Sequence, residues 1–474
     1  MSPRILIVGA GISGLSLAYL LSRKLPSADV TVLEERDRPG GTIWTERRDG
    51  FQVETGPNGF LDSKPSTRML CEDVGLRDQL IPASAVSGQN RYLFLNDKLQ
   101  LLPRGLGSFL RSRLLGWRGK IAVLAERYRR RRRDSADESI TAFARRRMGR
   151  EVAETLVDAF VTGIFAGDPD ILSVRATFPR LVLLEEQYGS VLRGLSQIAK
   201  QRRSEADARF ESSPATSTMW SLRQGMRLLP ETICQRLGRP PVFGCGVRST
   251  ARLERSDQQT PGWVVRGEGK EQWTADAVVL TCPAYKQSEI IAELDEELAR
   301  LIQGIAYNRV AVVALGYRQA DITMKVDGFG FLVPQRSRRD ILGVQWCSSI
   351  FPDRAPHGFV LLRAMCGGWN RPEIVGWDDE TLLRAVRNEL RVTMAISAEP
   401  VFHQIVRWER AIPQYQLGHL EMVAKIEHRA SHFPGLFLGG NAYRGVALND
   451  CVEQAEVVAA QVCNFFTKSS FPSG

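Results

Sequence analysis

Residues 5–14 read ILIVGAGISG, and this short stretch constrains the fold more than any other part of the chain. An apolar run, Ile5–Val8, meets Gly9, Gly11 and Gly14 at the G-x-G-x-x-G spacing. A helical pattern of Leu15, Leu17, Ala18, Leu20 and Leu21 follows at once. In a strand–turn–helix unit the first glycine permits the tight turn, the second lets a pyrophosphate approach the backbone, and the third lets helix and strand pack closely. The N–H groups around Ile12 and Ser13, at the helix N-terminus, are then aimed at phosphate. A second apolar run, Val30–Leu33, ends in Glu34 and Glu35. An acid there accepts hydrogen bonds from the ribose hydroxyls and repels a 2′-phosphate, which argues against NADP.

The following residues select the dinucleotide. Arg38-Pro39-Gly40-Gly41 places R-x-G-G just past the second strand, with Thr42 next. Arg38 can reach a phosphate, and the glycine pair lets backbone run beneath the rest of a longer cofactor. FAD, bound non-covalently, is the expected cofactor.

The chain has 474 residues, enough for two or three domains. The eight cysteines are scattered without a C-x-x-C pair, and the five histidines show no metal-ligand spacing. Neither a disulfide framework nor a metal site is expected. The dinucleotide motif begins at residue 9, which leaves no room for a signal peptide, and no apolar stretch is long enough to span a bilayer. The net charge of +10 is local. Between Arg104 and Arg133 lie eleven basic residues and one acid, Glu126, interleaved with Leu106, Phe109, Leu110, Leu114, Leu115, Trp117 and Ile121. That mixture suits amphipathic helices on an anionic membrane. The plainer reading is a solvated basic helix with an ordinary core face. Nothing else in the chain supports nucleic-acid binding.

Periodicity divides the remainder. Ser139–Phe160 is strongly helical, with Ile140, Phe143, Ala144, Met148, Val152, Leu156, Val157 and Phe160 on one face, and Gln201–Thr218 reads as a polar loop. Gly225–Leu237 and Glu289–Ile302 read as helices, as does Asp379–Met394. Pro241–Val247, Asp276–Leu280, Val310–Tyr317, Gly330–Val333, Ile341–Trp346 and Val360–Met365 read as strands. Strand 435–440 leads to a closing helix from Asp450 to Phe465, with Asn449 or Asp450 as its N-cap. The turn Arg444–Leu448 before it presents N–H groups suited to stabilising negative charge on a flavin. The expected class is α/β, and α+β overall. A Rossmann-type FAD domain is assembled from 1–58, 219–285 and 405–474. A substrate domain with a mixed or antiparallel sheet takes 59–95 and 286–404, and a helical membrane-binding insertion with its linker takes 96–218.

Longer motifs then carry a resemblance. These are GTIWT (41–45), DGFQVETGPN (49–58), RYLFLNDKLQLLP (91–103), GIFAGDP (163–169), GFGFLVP (328–334), WERAIPQY (408–415) and LGGNAYRG (438–445). Nearly end to end, the chain resembles the protoporphyrinogen oxidases, relatives of the monoamine oxidases and phytoene desaturases. The resemblance implies removal of six electrons from a porphyrinogen in three rounds, a hydride passing to FAD and O2 yielding hydrogen peroxide. It implies a peripheral protein on the cytoplasmic face of the membrane, with a homodimer and hand-over of product to a ferrochelatase among its expected partners. It assigns substrate contacts to Arg91, Gly167, Leu332, Gln345 and Met365, and no catalytic acid or base. It extends the cofactor set to Gly56, Pro57, Asn58, Val247, Thr281, Trp408, Gly440, Asn441, Val446, Ala447 and Leu448. Arg suits the propionate role because its fork binds carboxylate bidentately.

Some positions depart from the pattern. Gln345 stands where relatives place an aliphatic side chain, Ala447 replaces a glycine, Gln454-Ala455 replace Ser-Gly and Asp97 replaces a turn glycine. The first alternative is the same chemistry on coproporphyrinogen III, which calls for more positive charge around the ring. No added basic cluster is evident near Leu332, Gln345 or Met365. An amine oxidase, a carotenoid desaturase and a non-catalytic flavin-binding membrane protein are the remaining alternatives.

Overall fold

The computed structural model describes residues 2–132, 134, 136–209, 218–253 and 262–469. Its first layer is a parallel sheet in the order Leu436–Leu438, Ala277–Leu280, Arg4–Val8, Asp29–Leu33. Ile7 pairs with Val279 on one side and Val32 on the other. Both faces are covered, which is why these strands read as unbroken apolar runs. Ile5, Ile7, Val32 and Val279 point to the helices Ile12–Lys24 and Leu448–Ser469. Leu6, Val8, Val278 and Leu280 point to the antiparallel meander Val247–Leu253, Gly262–Gly267, Gln272–Ala275.

The second sheet has seven strands, in the order Phe402–Trp408, Val310–Arg318, Phe359–Gly367, Gly343–Trp346, Gly330–Leu332, Arg91–Leu95, Lys98–Leu101. All neighbours are antiparallel except Gly330–Leu332 with Arg91–Leu95. Val360, Leu362, Ala364 and Cys366 pack against Leu382, Val386, Leu390 and Met394 of the helix Asp379–Met394, which Asp378 caps by accepting from Thr381 N–H at 2.7 Å. The opposite face of this sheet looks into the molecule.

The helical insertion has its own small core of Ile140, Phe143, Val161, Phe165, Leu172, Val174 and Leu184. It also holds a buried ion pair. Arg147 and Glu126 are both fully buried, Arg147 Nε donating to Glu126 at 2.8 Å. Glu126 further accepts from Val191 N–H at 3.0 Å and Leu192 N–H at 3.2 Å, at the start of the helix Val191–Arg209. The one acid of the basic stretch is thus the stretch's anchor.

Several expectations need correction. Residues 60–82 do not join the second sheet. Phe60, Leu70, Cys71, Val74 and Leu76 enter the dinucleotide core, while Lys98–Leu101 and Phe402–Trp408 are strands of the seven-stranded sheet. Pro241–Val247 is not a strand. Val242 makes a single bridge to Leu33, and the strand begins at Val247. Glu289–Ile302 is two helices, Ala284–Ile291 and Glu296–Gln303, the second capped by Asp295. The run 139–160 breaks at Gly149 (φ 92°), resumes through a π segment at Ala153–Val157, and leaves Phe160 53% exposed. The supposed loop from Gln201 is helical to Arg209, and 210–217 lie outside the described residues.

Candidate active site

The glycine turn is clasped from three sides. Gly9 (φ 106°) donates to Leu33 O at 2.7 Å, Gly40 N–H donates to Ala10 O at 2.8 Å, and Thr281 Oγ1 donates to Val8 O at 2.9 Å. A Cβ at Gly14 would lie 2.6 Å from Thr281 Oγ1 and closer still to Gly9 O, so the third glycine is a packing necessity. A Cβ at Gly11 would meet nothing within 4 Å. The backbone there faces open space at a helix N-terminus, as a pyrophosphate cradle requires. Glu34 is buried at the end of its strand and accepts from Ala10 N–H at 2.6 Å and Arg36 N–H at 3.0 Å. Glu35 turns the other way, 3.5 Å from Lys286, so of the two acids only Glu34 faces the turn. Arg38 stacks 4.3 Å over Trp44 and has no carboxylate partner among the described residues. Burial and the neighbouring Arg36 pull its pKa down.

The far half of the cleft comes from distant segments. Gly56 has room only for hydrogen against Thr42 O. Trp408 Nε1 donates to Thr55 O at 2.9 Å, fixing the indole beside Gly56-Pro57-Asn58. Asn58 is 4% exposed and its Nδ2 has no acceptor. Gly440 (φ 103°) abuts Thr281 O, and Asn441 O accepts from Tyr415 OH at 2.5 Å. Val247 opens the meander strand two residues past Cys245, whose N–H donates to Glu34 O at 2.8 Å. The closing helix starts at Leu448, earlier than expected, and neither Asn449 nor Asp450 is its N-cap. Asp450 Oδ2 instead accepts from Ala447 N–H at 3.1 Å, and Asn449 Nδ2 donates to Leu61 O at 2.6 Å. Ala447 N–H is therefore engaged. Those of Val446 and Leu448 have no acceptor among the described residues. The open cradle at Gly11, the Arg38 guanidinium, which among the described residues bonds only the carbonyls of Pro39 and Gly41, and the orphaned amide of Asn58 all fit FAD.

Strand register brings the expected substrate contacts onto one surface. On the inward face of the large sheet, one cross-strand row runs Arg91, Gly330, Gln345, Arg363, Ala314. The next row runs Leu93, Leu332, Gly343, Met365, Val312. Arg91 is exposed, with its guanidinium 5.1 Å over the Phe329 ring and no carboxylate partner among the described residues. Leu332 is overlain by the helix Asp158–Phe165, where Gly163 leaves room for its methyls. Gly167 sits just past that helix. Its carbonyl accepts from Gln335 Nε2 at 2.5 Å, while Gln414 and Leu172 leave no room for a side chain. The left-handed residue of this turn is Ala166 (φ 43°), not Gly167.

Arg363 is the residue that sequence reasoning missed. It is 5% exposed, donates to Gln345 Oε1 at 3.0 Å and to Gly56 O at 2.6 Å, and its Nε has no partner. No basic cluster was expected near Leu332, Gln345 and Met365, and the cation beside Gln345 is Arg363. A signal was present, since a lone arginine interrupts the apolar strand FVLLRAMCG. Beyond the apolar row, between the sheet and the insertion, lies a cavity of about 830 Å³ lined in part by Asp158, Asp168, Arg336, Arg338 and Gly367. Burial pushes Asp158 up to about 6. Among the described residues no group of His, Cys, Asp and Glu is arranged to hold a metal ion, and no helix is long and apolar enough to cross a membrane.

Comparison with known proteins agrees with this architecture. The family of flavin containing amine oxidoreductases matches residues 12–463. The chloroplastic protoporphyrinogen oxidase of Nicotiana tabacum is 35% identical over 98% of this chain and 86% of its own length. The coproporphyrinogen III oxidase of Bacillus subtilis is 27% identical over 97% of this chain and 98% of its own. A crystal structure from Exiguobacterium sp. 255-15, provisionally assigned as a protoporphyrinogen oxidase, superposes with a TM-score of 0.81 at 26% identity, covering 98% and 99% of the two chains. With its FAD cleft and end-to-end match, this chain belongs to the flavin containing amine oxidoreductases, among the relatives that oxidise porphyrinogens.

Proposed function

We propose that this protein oxidises protoporphyrinogen IX to protoporphyrin IX, with O2 as final electron acceptor. The observation that carries the reading is the inward sheet face, where a polar row holding Arg91 adjoins an apolar row holding Leu332 and Met365. The polar row meets the Thr55–Asn58 segment of the FAD cleft at Arg363, which donates to Gly56 O at 2.6 Å. FAD, when bound, supplies the two-electron acceptance that each round of such an oxidation needs. The chain's own residues position and shield. Arg91 takes a propionate, a charge-assisted pairing that guanidinium geometry favours. Leu332 and Met365 give the tetrapyrrole an apolar bed, and the helix Asp158–Phe165 screens it from water. The N–H groups of Val446 and Leu448, at the positive end of the closing helix, favour negative charge on the cofactor's pyrimidine edge.

The insertion supports docking on the cytoplasmic face of an anionic membrane, by a narrower patch than the whole basic stretch. Leu106, Leu110, Trp117, Ile121 and Tyr128 are between 47% and 74% exposed, and Arg111, Arg118 and Arg127 stand exposed among them. In the arginine run, Arg130 and Arg131 are exposed, while Arg129 and Arg132 are half-buried. Arg129 donates to Arg146 O, Arg131 to Glu186 O, and Arg132 pairs with Asp134, while Arg133 lies outside the described residues.

A second reading, coproporphyrinogen III as substrate, draws on Arg336 and Arg338. They line the cavity beyond the apolar row, where the Arg336 charge acts on Asp158. Turnover of the two porphyrinogens by the FAD-loaded protein, followed side by side by porphyrin fluorescence, tests both. Higher kcat/KM on protoporphyrinogen IX is expected, preference for coproporphyrinogen III would install the second reading, and fluorescence from neither would overturn both.

A further inference from the structure

We propose that Arg363 is a second carboxylate-binding cation of the substrate slot, working with Arg91 to hold two carboxylates on one edge of the tetrapyrrole. The inference rests on the porphyrinogen reading above and adds a specificity determinant to it.

A buried guanidinium ordinarily has an acid beside it. Arg363 has none within ion-pair distance among the described residues. The nearby Glu54 pairs instead with Arg354 at 3.5 Å. Of the five N–H donors on a guanidinium, Arg363 places one on Gln345 Oε1 and one on Gly56 O, both neutral acceptors, and its Nε is buried with no partner. Unpaired donors on a buried cation are costly unless a ligand completes them. An anion is the chemistry that fits.

The register says where that anion belongs. Arg91 and Arg363 lie in one cross-strand row, separated by Gly330 and Gln345. Three strand spacings put their backbones about 14 Å apart. Each side chain reaches several ångströms, and Arg363 leans toward Gln345, the Arg91 side of the row. Gly330 between them has φ 123° and no side chain to obstruct the row. The adjacent row, Leu93, Leu332, Gly343, Met365 and Val312, carries no charge. Cations on one edge and apolar side chains behind them match a ring with carboxylates on one edge and apolar substituents on the other. Protoporphyrinogen IX, with its two propionates on adjacent pyrroles, has that distribution. Coproporphyrinogen III would bring two further carboxylates over the apolar row. The same geometry accounts for Gln345, the departure from an aliphatic residue, since its Oε1 steers Arg363 without neutralising it.

The test uses FAD-loaded protein and two probes, protoporphyrin IX and its dimethyl ester, with binding read from porphyrin fluorescence. The unmodified protein should prefer the diacid. Arg363→Met should cut diacid affinity about 10- to 100-fold, the range for a hydrogen bond to a charged group, and leave diester affinity unchanged. Gln345→Glu is the second variant, in case Arg363→Met does not fold. It sets a carboxylate beside Nη1 and should abolish most of the diacid preference while the protein keeps FAD and its melting temperature. An unchanged diacid-to-diester ratio in Gln345→Glu overturns the proposal, because a purely structural arginine would be satisfied by that acid. If the unmodified protein turns over no porphyrinogen at all, the functional reading fails instead.

Discussion

Two glycines five ångströms or so from one another on the same turn should fail in opposite ways when each is changed to alanine. At Gly14 the added methyl would sit 2.6 Å from Thr281 Oγ1 and nearer still to Gly9 O. Backbone cannot yield there as a side-chain end would, because Thr281 also bonds Gly9 O at 3.1 Å and Val8 O at 2.9 Å. Overpacking of this kind costs about 1–3 kcal/mol, and at roughly 2–4 °C per kcal/mol for a domain of this size Gly14→Ala should lower the melting temperature of FAD-free protein by several degrees. At Gly11 the methyl would meet nothing within 4 Å, and φ is ordinary, so the FAD-free protein should melt within about 0.5 kcal/mol of the original. The methyl would instead stand where the pyrophosphate approaches, and FAD should be lost. Differential scanning calorimetry of FAD-free protein and flavin absorbance per chain separate the effects. The reasoning is refuted if Gly11→Ala retains stoichiometric FAD, or if Gly14→Ala melts unchanged.

Arg91→Ala should raise KM more than it lowers kcat, because a propionate contact is made equally in ground and transition states; an equal fall in kcat and kcat/KM counts against that role. Glu126→Gln should cost about 1–3 kcal/mol, because Arg147 stays buried with only its longer contact to Glu185, at 3.4 Å, for a charge partner. Burial by itself would raise the Glu126 pKa, but Ser190, Arg147 and the N–H groups of Val191 and Leu192 outweigh it and hold the carboxyl below its ordinary value. A depressed carboxyl stabilises the fold above its unfolded pKa, about 4.3, and that stability disappears as pH falls through the folded value. Urea melts across the acid range should therefore show a shallower acid loss in Glu126→Gln than in the original protein. Changing Arg111, Arg118 and Arg127 together to Gln should weaken binding to phosphatidylserine vesicles by about 3 kcal/mol, near 1 kcal/mol per charge, with FAD content unchanged. Vesicle sedimentation showing equal binding would leave only a solvated basic face.

The dinucleotide half was legible because its information is local. Ile5–Val8, the three glycines and Glu34 fall within thirty-odd residues, and Arg38 to Gly41 follow directly. The closing helix was legible as a pattern but not in its capping. Asp450 looks like an N-cap residue and instead reaches back from the first turn to Ala447 N–H. The inward face of the large sheet has no local signature in the sequence. Arg91, Gln345 and Arg363 come into one cross-strand row through pairings between strands 91–95, 330–332, 343–346 and 359–367, and a one-residue slip in any of them would turn its side chains to the other face. No local period encodes that register. The basic stretch was legible as charge but not in its pairing. Eleven cations read as one surface, yet Glu126 is fully buried and Arg129, Arg131 and Arg132 bond to the protein itself. Charge counts do not record which side chains fold inward.

Anaerobic mixing of FAD-loaded protein with protoporphyrinogen IX reads electron transfer from porphyrinogen to flavin directly. The oxidised-flavin absorbance should be lost, then return with porphyrin fluorescence and hydrogen peroxide when O2 is admitted. Oxidised flavin that persists, bound and unbleached, in the presence of excess protoporphyrinogen IX would contradict that transfer.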